Sequence, residues 1–135
     1  MLVWVIWANN ETGVVQPVGR IAALARERGG LVHSDATQAV GKLPIDVGRV
    51  PVDLLSLSAH KFNGPKGVGC LIARGDLAFE SILHGGPQER RRRGGTENVA
   101  GIAGLGTACE LATRELSDRT EGYAHLRDRL WEGIQ

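Results

Sequence analysis

An α/β fold with a mostly parallel sheet flanked by helices is predicted by three features of the sequence. Apolar runs of strand length recur at 2–7, 31–34, 52–58 and 67–73, each bounded by turn-forming residues. A helical pattern separates the first two runs, and a strand–helix–strand succession of this length implies a right-handed crossover between parallel neighbours. Polar residues capable of chemistry follow three of the runs directly: Asn10, Asp35 with Gln38, and Ser58 with His60 and Lys61. In open α/β sheets, ligands bind outside the carboxyl ends of the strands.

Taken in order, Met1–Trp7 reads as a buried strand. It is far too short to span a membrane and lacks the basic flank of a signal peptide. A sequence that opens inside a core strand suggests a missing beginning. Ala8–Gly13 is a polar turn with Asx chemistry. Pro17 suits the first turn of a helix, in which Val18, Ile21, Ala22 and Ala25 form the apolar face while Arg20, Arg26, Glu27 and Arg28 face out. Gly29-Gly30 ends it. The strand at 31–34 ends at Asp35. A connector with a helical turn near 46–50 leads to the strand at 52–58. The short Gly64–Gly67 turn makes the pairing of 52–58 with 67–73 antiparallel.

Residues 84–98 have no period, many glycines and four consecutive arginines, Arg90 to Arg93. Long aperiodic loops are usually functional or disordered. The arginines suit a solvated or nucleic-acid-binding patch, whereas the flanking glycines and Thr96 suit close approach to an anion. Two helices close the chain at 99–116 and 122–135. Their stripes, Ile102/Leu105/Cys109/Ala112/Leu116 and Tyr123/Leu126/Leu130/Ile134, read as core.

Composition narrows the function classes. The 135 residues suit one domain, 42% hydrophobic and 23% charged, with a net charge of +1. That charge argues against a nucleic-acid or membrane partner. Cys70 and Cys109 lie far apart in apolar contexts and read as small buried hydrophobes in a reducing compartment, the cytoplasm. No Cys/His/carboxylate cluster has metal-ligand spacing.

Lys61 admits two readings, an exposed loop lysine or a desolvated Schiff-base nucleophile. If the three strand ends converge, the set suits pyridoxal 5'-phosphate. Its aldehyde needs an amine (Lys61) and its pyridine nitrogen a carboxylate (Asp35). Its ring hydroxyl needs amide donors (Asn10, Gln38), and its phosphate needs Ser58, His60 and Thr96.

Four stretches carry a resemblance: Ala8–Gly13, His33–Lys42, Asp53 to Gly69, and His84 to Asn98. In this order and spacing they resemble the cysteine desulfurases of the class V aminotransferase group, PLP-dependent enzymes that supply sulfur for iron–sulfur clusters. The resemblance implies the fold type I large domain over residues 1–115, with 116–135 leading into a smaller C-terminal domain. It implies Lys61 as the Schiff-base lysine that moves the substrate's Cα proton, Asp35 on the pyridine nitrogen, Asn10 and Gln38 on the ring hydroxyl, and Ser58 and His60 on the phosphate. Thr96 matches a threonine that reaches the neighbouring subunit's phosphate, so a homodimer with shared sites is implied. L-cysteine is the implied substrate. A separate enzyme cysteine takes its sulfur as a persulfide and L-alanine is released, the sulfur passing to an acceptor or scaffold protein. Asn63, Pro87 and Gly94 depart from the family's usual loop residues.

The family's sulfur-accepting cysteine and substrate-carboxylate arginine lie beyond Gln135, and a ring-stacking histidine lies before Met1. The chain is therefore expected to be a central fragment, inactive alone, and prone to aggregate through exposed edges. The alternatives are a selenocysteine lyase or other class V enzyme, or a non-catalytic truncation with a basic anion-binding loop.

Overall fold

The computed structural model describes every residue except 76 and 79. Strand β1 (Leu2–Ile6) leads through helix α1 (Val18–Glu27) to β2 (Leu31–Asp35). Strand β3 (Leu54–Ser58) runs into a 3-10 turn (Ala59–Phe62) and then β4 (Gly69–Ala73). A four-residue segment α2 (Gln88–Arg91) precedes α3 (Val99–Arg114) and α4 (Leu116–Ile134). The strand order is β1-β2-β3-β4. β1, β2 and β3 are parallel, while β4 returns antiparallel to β3, as the short turn requires.

Helix α1 forms because its apolar residues recur at helical spacing. Val18, Ala22 and Ala25 are buried against Val32 and Leu55 of the sheet and against Ala36 and Ala39 of the following turn. Small residues on this face let the helix lie close to the strands. It ends at Gly29-Gly30, whose N–H groups bond the carbonyls of Arg26 and Ala25 at 2.9 Å each, closing the last turn. The turn predicted near 46–50 is present, with the Arg49 and Val50 N–H groups bonded to the Asp46 carbonyl.

A buried carboxylate ties the amino ends of β2 and β3. Asp53 Oδ2 accepts the Val32 N–H at 2.8 Å, and Oδ1 accepts from Arg26 Nη2 at 3.4 Å. Arg26, which the sequence places facing out, thus folds back over the sheet while remaining largely exposed.

Three expectations are corrected. β1 is not buried: its period places Leu2 and Trp4 on the sheet face opposite α1, and Trp4 is 62% exposed. Leu31 and Leu71 lie exposed on that same face. The final helix begins at Leu116 rather than 122, because only Glu115 separates it from α3. Arg119 bonds back to Glu115 Oε2 at 3.1 and 2.7 Å, supporting that first turn. Its stripe is not core: Tyr123, Leu126, Leu130 and Ile134 are all more than half exposed, and no residue of α4 is buried.

Asp53→Ala leaves the buried Val32 N–H without its acceptor and should lower stability in urea unfolding by about 1–3 kcal/mol. Arg26→Ala, at the solvent-screened end of the pair, should cost less than about 1 kcal/mol. The exposed apolar faces should make the chain self-associate with rising concentration in sedimentation velocity. Leu126→Lys with Leu130→Lys should reduce that association.

Candidate active site

The three parallel strands end side by side, and each passes directly into a tight turn. After β1, Asn9 builds the turn. Its Oδ1 accepts the Glu11 and Thr12 N–H groups at 2.9 Å each and the Thr12 hydroxyl at 3.1 Å. The Gly13 N–H bonds the Asn9 carbonyl. Asn10 sits at the exposed tip of this turn. The Asx chemistry was legible in the sequence, but not the division of labour between the two asparagines.

β2 ends at Asp35, which is held on both sides. Its carbonyl accepts the Trp7 N–H at 2.8 Å, and the next N–H, of Ala36, bonds the Ser56 carbonyl at 2.9 Å. Asp35 Oδ1 accepts the Thr37 N–H at 2.9 Å, an Asx turn that starts the next helical turn. Ala36 and Ala39 are fully buried, and Gln38 between them is half-buried.

β3 ends at Ser58, and the 3-10 turn carries His60 and Lys61 outward while Phe62 points inward. Ser58 Oγ and His60 Nδ1 lie 2.9 Å apart, a hydrogen bond between two predicted phosphate contacts. Phe62 packs with Leu57, Ala108 and Ala112. The α3 face that receives this turn centres on the small residues Ala108 and Ala112, with Leu105 and Cys109 of the predicted stripe packed beside them, whereas Ile102 is 44% exposed. A Cβ on Gly104 would lie 2.5 Å from Pro65 Cγ, and one on Gly64 would lie 2.8 Å from Ala59 Cβ and 3.1 Å from Ala108 Cβ. These glycines let the lysine turn seat against α3. Asn63 closes the turn in the left-handed region, at φ 68°.

Lys61 is exposed, which agrees with the plain loop reading of its surroundings and leaves its amine accessible. Lys42 lies beside it. Lys42 Nζ donates to the Gln38 carbonyl at 3.3 Å and to the Lys61 carbonyl at 3.4 Å. Burial lowers its pKa, and the neighbouring Lys61 charge lowers it further. Nothing in one dimension shows that Lys42 reaches two carbonyls 23 residues apart, so its role is not legible in the sequence.

Thr96 is exposed ahead of α3, and no hydrogen bond joins it to the strand-end set among the described residues. Its loop holds a cavity of about 400 Å³ lined by Leu83, His84, Pro87, Arg91 and others. Glu89, Arg90 and Arg91 have φ of 48°, 56° and 66°, a left-handed run costing about 1–2 kcal/mol per residue. Bonds from the Gly94 N–H to the Leu83 carbonyl and from the Gly95 N–H to Gln88 Oε1 brace it.

The cysteines differ from expectation. Cys70 is exposed on β4 and Cys109 is only half-buried; both are free. Cys70 lies near the sheet margin, where the antiparallel return leaves its side less covered. Even so, partial cover pushes the Cys70 thiol pKa up, with Cys109 and Glu89 adding to it, and burial pushes Cys109 up. Neither is the depressed thiol that a nucleophile needs. Among the described residues no His/Cys/Asp/Glu group could hold a metal ion, and no helix is long and apolar enough to cross a membrane.

His33 shares the open sheet face with Asp35. Its Nε2 lies 3.1 Å from Ser56 Oγ, and its ring centroid is 6.3 Å from that of Trp4. Burial lowers its pKa, partly offset by the Asp35 charge.

The Aminotransferase class-V family profile matches residues 1–135. The chain is 57% identical over 129 residues to a cysteine desulfurase of Klebsiella pneumoniae, covering 96% of this chain and 32% of that protein. A solved structure of a NifS-like protein superposes with a TM-score of 0.95 at 43% identity, covering 98% of this chain and 37% of that one. The structure described as SspA in complex with cysteine matches at a TM-score of 0.78 and 44% identity, over 81% of this chain and 32% of that chain. The chain thus spans about a third of the length of the curated relative. These solved structures agree with the mostly parallel, helix-flanked sheet expected of the fold type I large domain.

The depressed pKa of His33 has a testable consequence. The folded state binds this proton more weakly than the unfolded chain does. Stability is therefore complete above the unfolded value of about 6.5 and falls as pH drops through it. The urea midpoint should decline between about pH 7 and 5, and His33→Gln should flatten that decline.

Proposed function

The chain belongs to the aminotransferase class-V family, and we propose that it is the cofactor-binding segment of a PLP-dependent cysteine desulfurase, releasing sulfur from L-cysteine with L-alanine as the other product. The observation that carries this reading is the alignment of three parallel strand ends, which sets Asn10, Asp35 with Gln38, and Ser58 with His60 and Lys61 along one edge of the sheet. The relatives named cysteine desulfurase, and the one described in complex with cysteine, support the substrate.

The donor set fits pyridoxal phosphate: an accessible primary amine, a carboxylate oriented by the Thr37 N–H, two carboxamides, and a hydroxyl hydrogen-bonded to an imidazole. When bound, the cofactor supplies an electron sink for the charge left as the substrate's Cα proton departs. On this reading Lys61 would hold the cofactor through its Nζ and would serve as the base that takes the substrate's Cα proton. Asp35 keeps the proton on the ring nitrogen. Asn10 and Gln38 orient the ring through its hydroxyl. Ser58 and His60 hold the phosphate, and Thr96 reaches that of a second subunit in a homodimer.

Sulfur transfer requires a thiolate. The raised thiols of Cys70 on β4 and Cys109 on α3 do not suit that role. We place the accepting cysteine outside these 135 residues and the large-domain boundary at Glu115, where α3 gives way to α4. The sulfur then passes to an acceptor or scaffold protein for iron–sulfur cluster or thio-cofactor assembly. The chain alone is expected to bind cofactor without turnover.

Absorption spectroscopy after gel filtration from excess pyridoxal phosphate tests this reading. A retained visible band that Lys61→Ala lacks, with no L-alanine formed from added L-cysteine, is the expected result. A band of equal strength in Lys61→Ala would overturn the assignment of the amine.

A further inference from the structure

The ammonium of Lys42 is placed where no ion pair accounts for it. It is half-buried, no salt bridge among the described residues includes it, and its partners are two main-chain carbonyls. One is Gln38, in the turn that follows β2; the other is Lys61, in the turn that follows β3. These turns carry three of the residues assigned to the cofactor, Gln38, His60 and Lys61. The adjoining strands are paired only through Asp35 and Ser56 at this end, so past Ser56 no ladder bond holds the lysine turn to the β2 side. The Thr120 hydroxyl, which donates to the Leu116 carbonyl at 2.7 Å, also lies 3.5 Å from Lys42's own carbonyl, which brings α4 beside the junction.

Holding an ammonium here has a cost. Burial and the Lys61 charge both act against its protonated form, and a neutral side chain would avoid both. The lysine also has the reach and the several donors that bridging two carbonyls requires. Hydrogen bonds from a charged donor are stronger than neutral ones, and each bond here falls on a turn rather than on a rigid strand.

We propose that Lys42 is a positioning residue that clamps the Lys61 turn to the Gln38 turn, fixing where the Lys61 amine stands relative to the cofactor ring. The inference rests on the proposed role of Lys61, but the clamp itself can be read without cofactor. It acts through the main-chain carbonyls of Gln38 and Lys61.

The test is hydrogen exchange by mass spectrometry on the chain and on its Lys42→Met and Lys42→Arg variants, followed by the rate of imine formation with pyridoxal phosphate. Lys42→Met should speed exchange over residues 59–64 about tenfold, the scale of one lost charge-assisted bond, with β1 and β2 unchanged. Lys42→Arg, which keeps a multidentate cationic donor, should restore protection and the imine rate together. Unchanged exchange over 59–64 in Lys42→Met overturns the clamp. So does exchange that rises equally in every strand, or an arginine variant that behaves like the methionine one. If the unsubstituted chain forms no imine at Lys61, the cofactor assignment fails while the exchange result still decides the clamp.

Discussion

Burial of Phe62 against the small-residue face of α3 is the contact on which the placement of the lysine turn depends. A strand that ends at the edge of a sheet normally releases its chain into solvent, and a residue one turn later has no fixed position. Here Phe62 is 4% exposed, packed on Ala108 and Ala112 beside Leu57. The 3-10 turn is drawn down onto the helix, and His60 and Lys61 are left on its outer side. Gly64 and Gly104 make the approach close enough, since any Cβ at either position would collide with its neighbours. Dense packing resists deformation, so the turn takes its geometry from α3 rather than from its own weak 3-10 bonds.

Around that contact, the other polar ends are held by backbone accounting. Asp35 and Ser56 are register partners, and their carbonyls accept the Trp7 and Ala36 N–H groups. Asn9 satisfies two N–H groups of its own turn with one side-chain oxygen. Each strand thus ends in a turn braced by hydrogen bonds that do not use the side chains of Asn10 and Gln38, which serve a ligand in the proposed reading. The opposite end of the sheet is closed by Asp53, a carboxylate with no chemistry in that reading. It joins β2 to β3 and covers the sheet's start with Arg26.

The uncovered parts follow from the same geometry. Helix α1 and α3 cover the face that carries Val32 and Leu55, while the face with Leu2, Trp4 and Leu71 stays open. Helix α4 carries an apolar stripe, Tyr123, Leu126, Leu130 and Ile134, that stays more than half exposed among the described residues. Relatives about three times as long share this segment, and large contiguous apolar faces are rarely left to solvent in a monomer.

What the sequence determined by itself was local and periodic. Strand-length apolar runs, the α1 stripe, its Gly-Gly end, the antiparallel return after Gly64-Pro65 and the polar residues at three strand ends all rest on interactions between near neighbours. The four motif stretches likewise sufficed for the family. Burial was decided by the tertiary structure. A stripe in one dimension shows which residues share a face, not whether another element covers it, so Tyr123, Leu126 and Leu130 read as core and stand exposed. On α3 the predicted stripe held at Leu105, Cys109 and Ala112 and failed at Ile102, while close approach of the lysine turn also required the small residues Gly104 and Ala108, which no stripe of large residues marks. Cys70 reads as interior from its apolar neighbours, yet its cover depends on what lies across β4. Lys42 bridges two turns distant along the chain, an arrangement that exists only once β2 and β3 lie side by side.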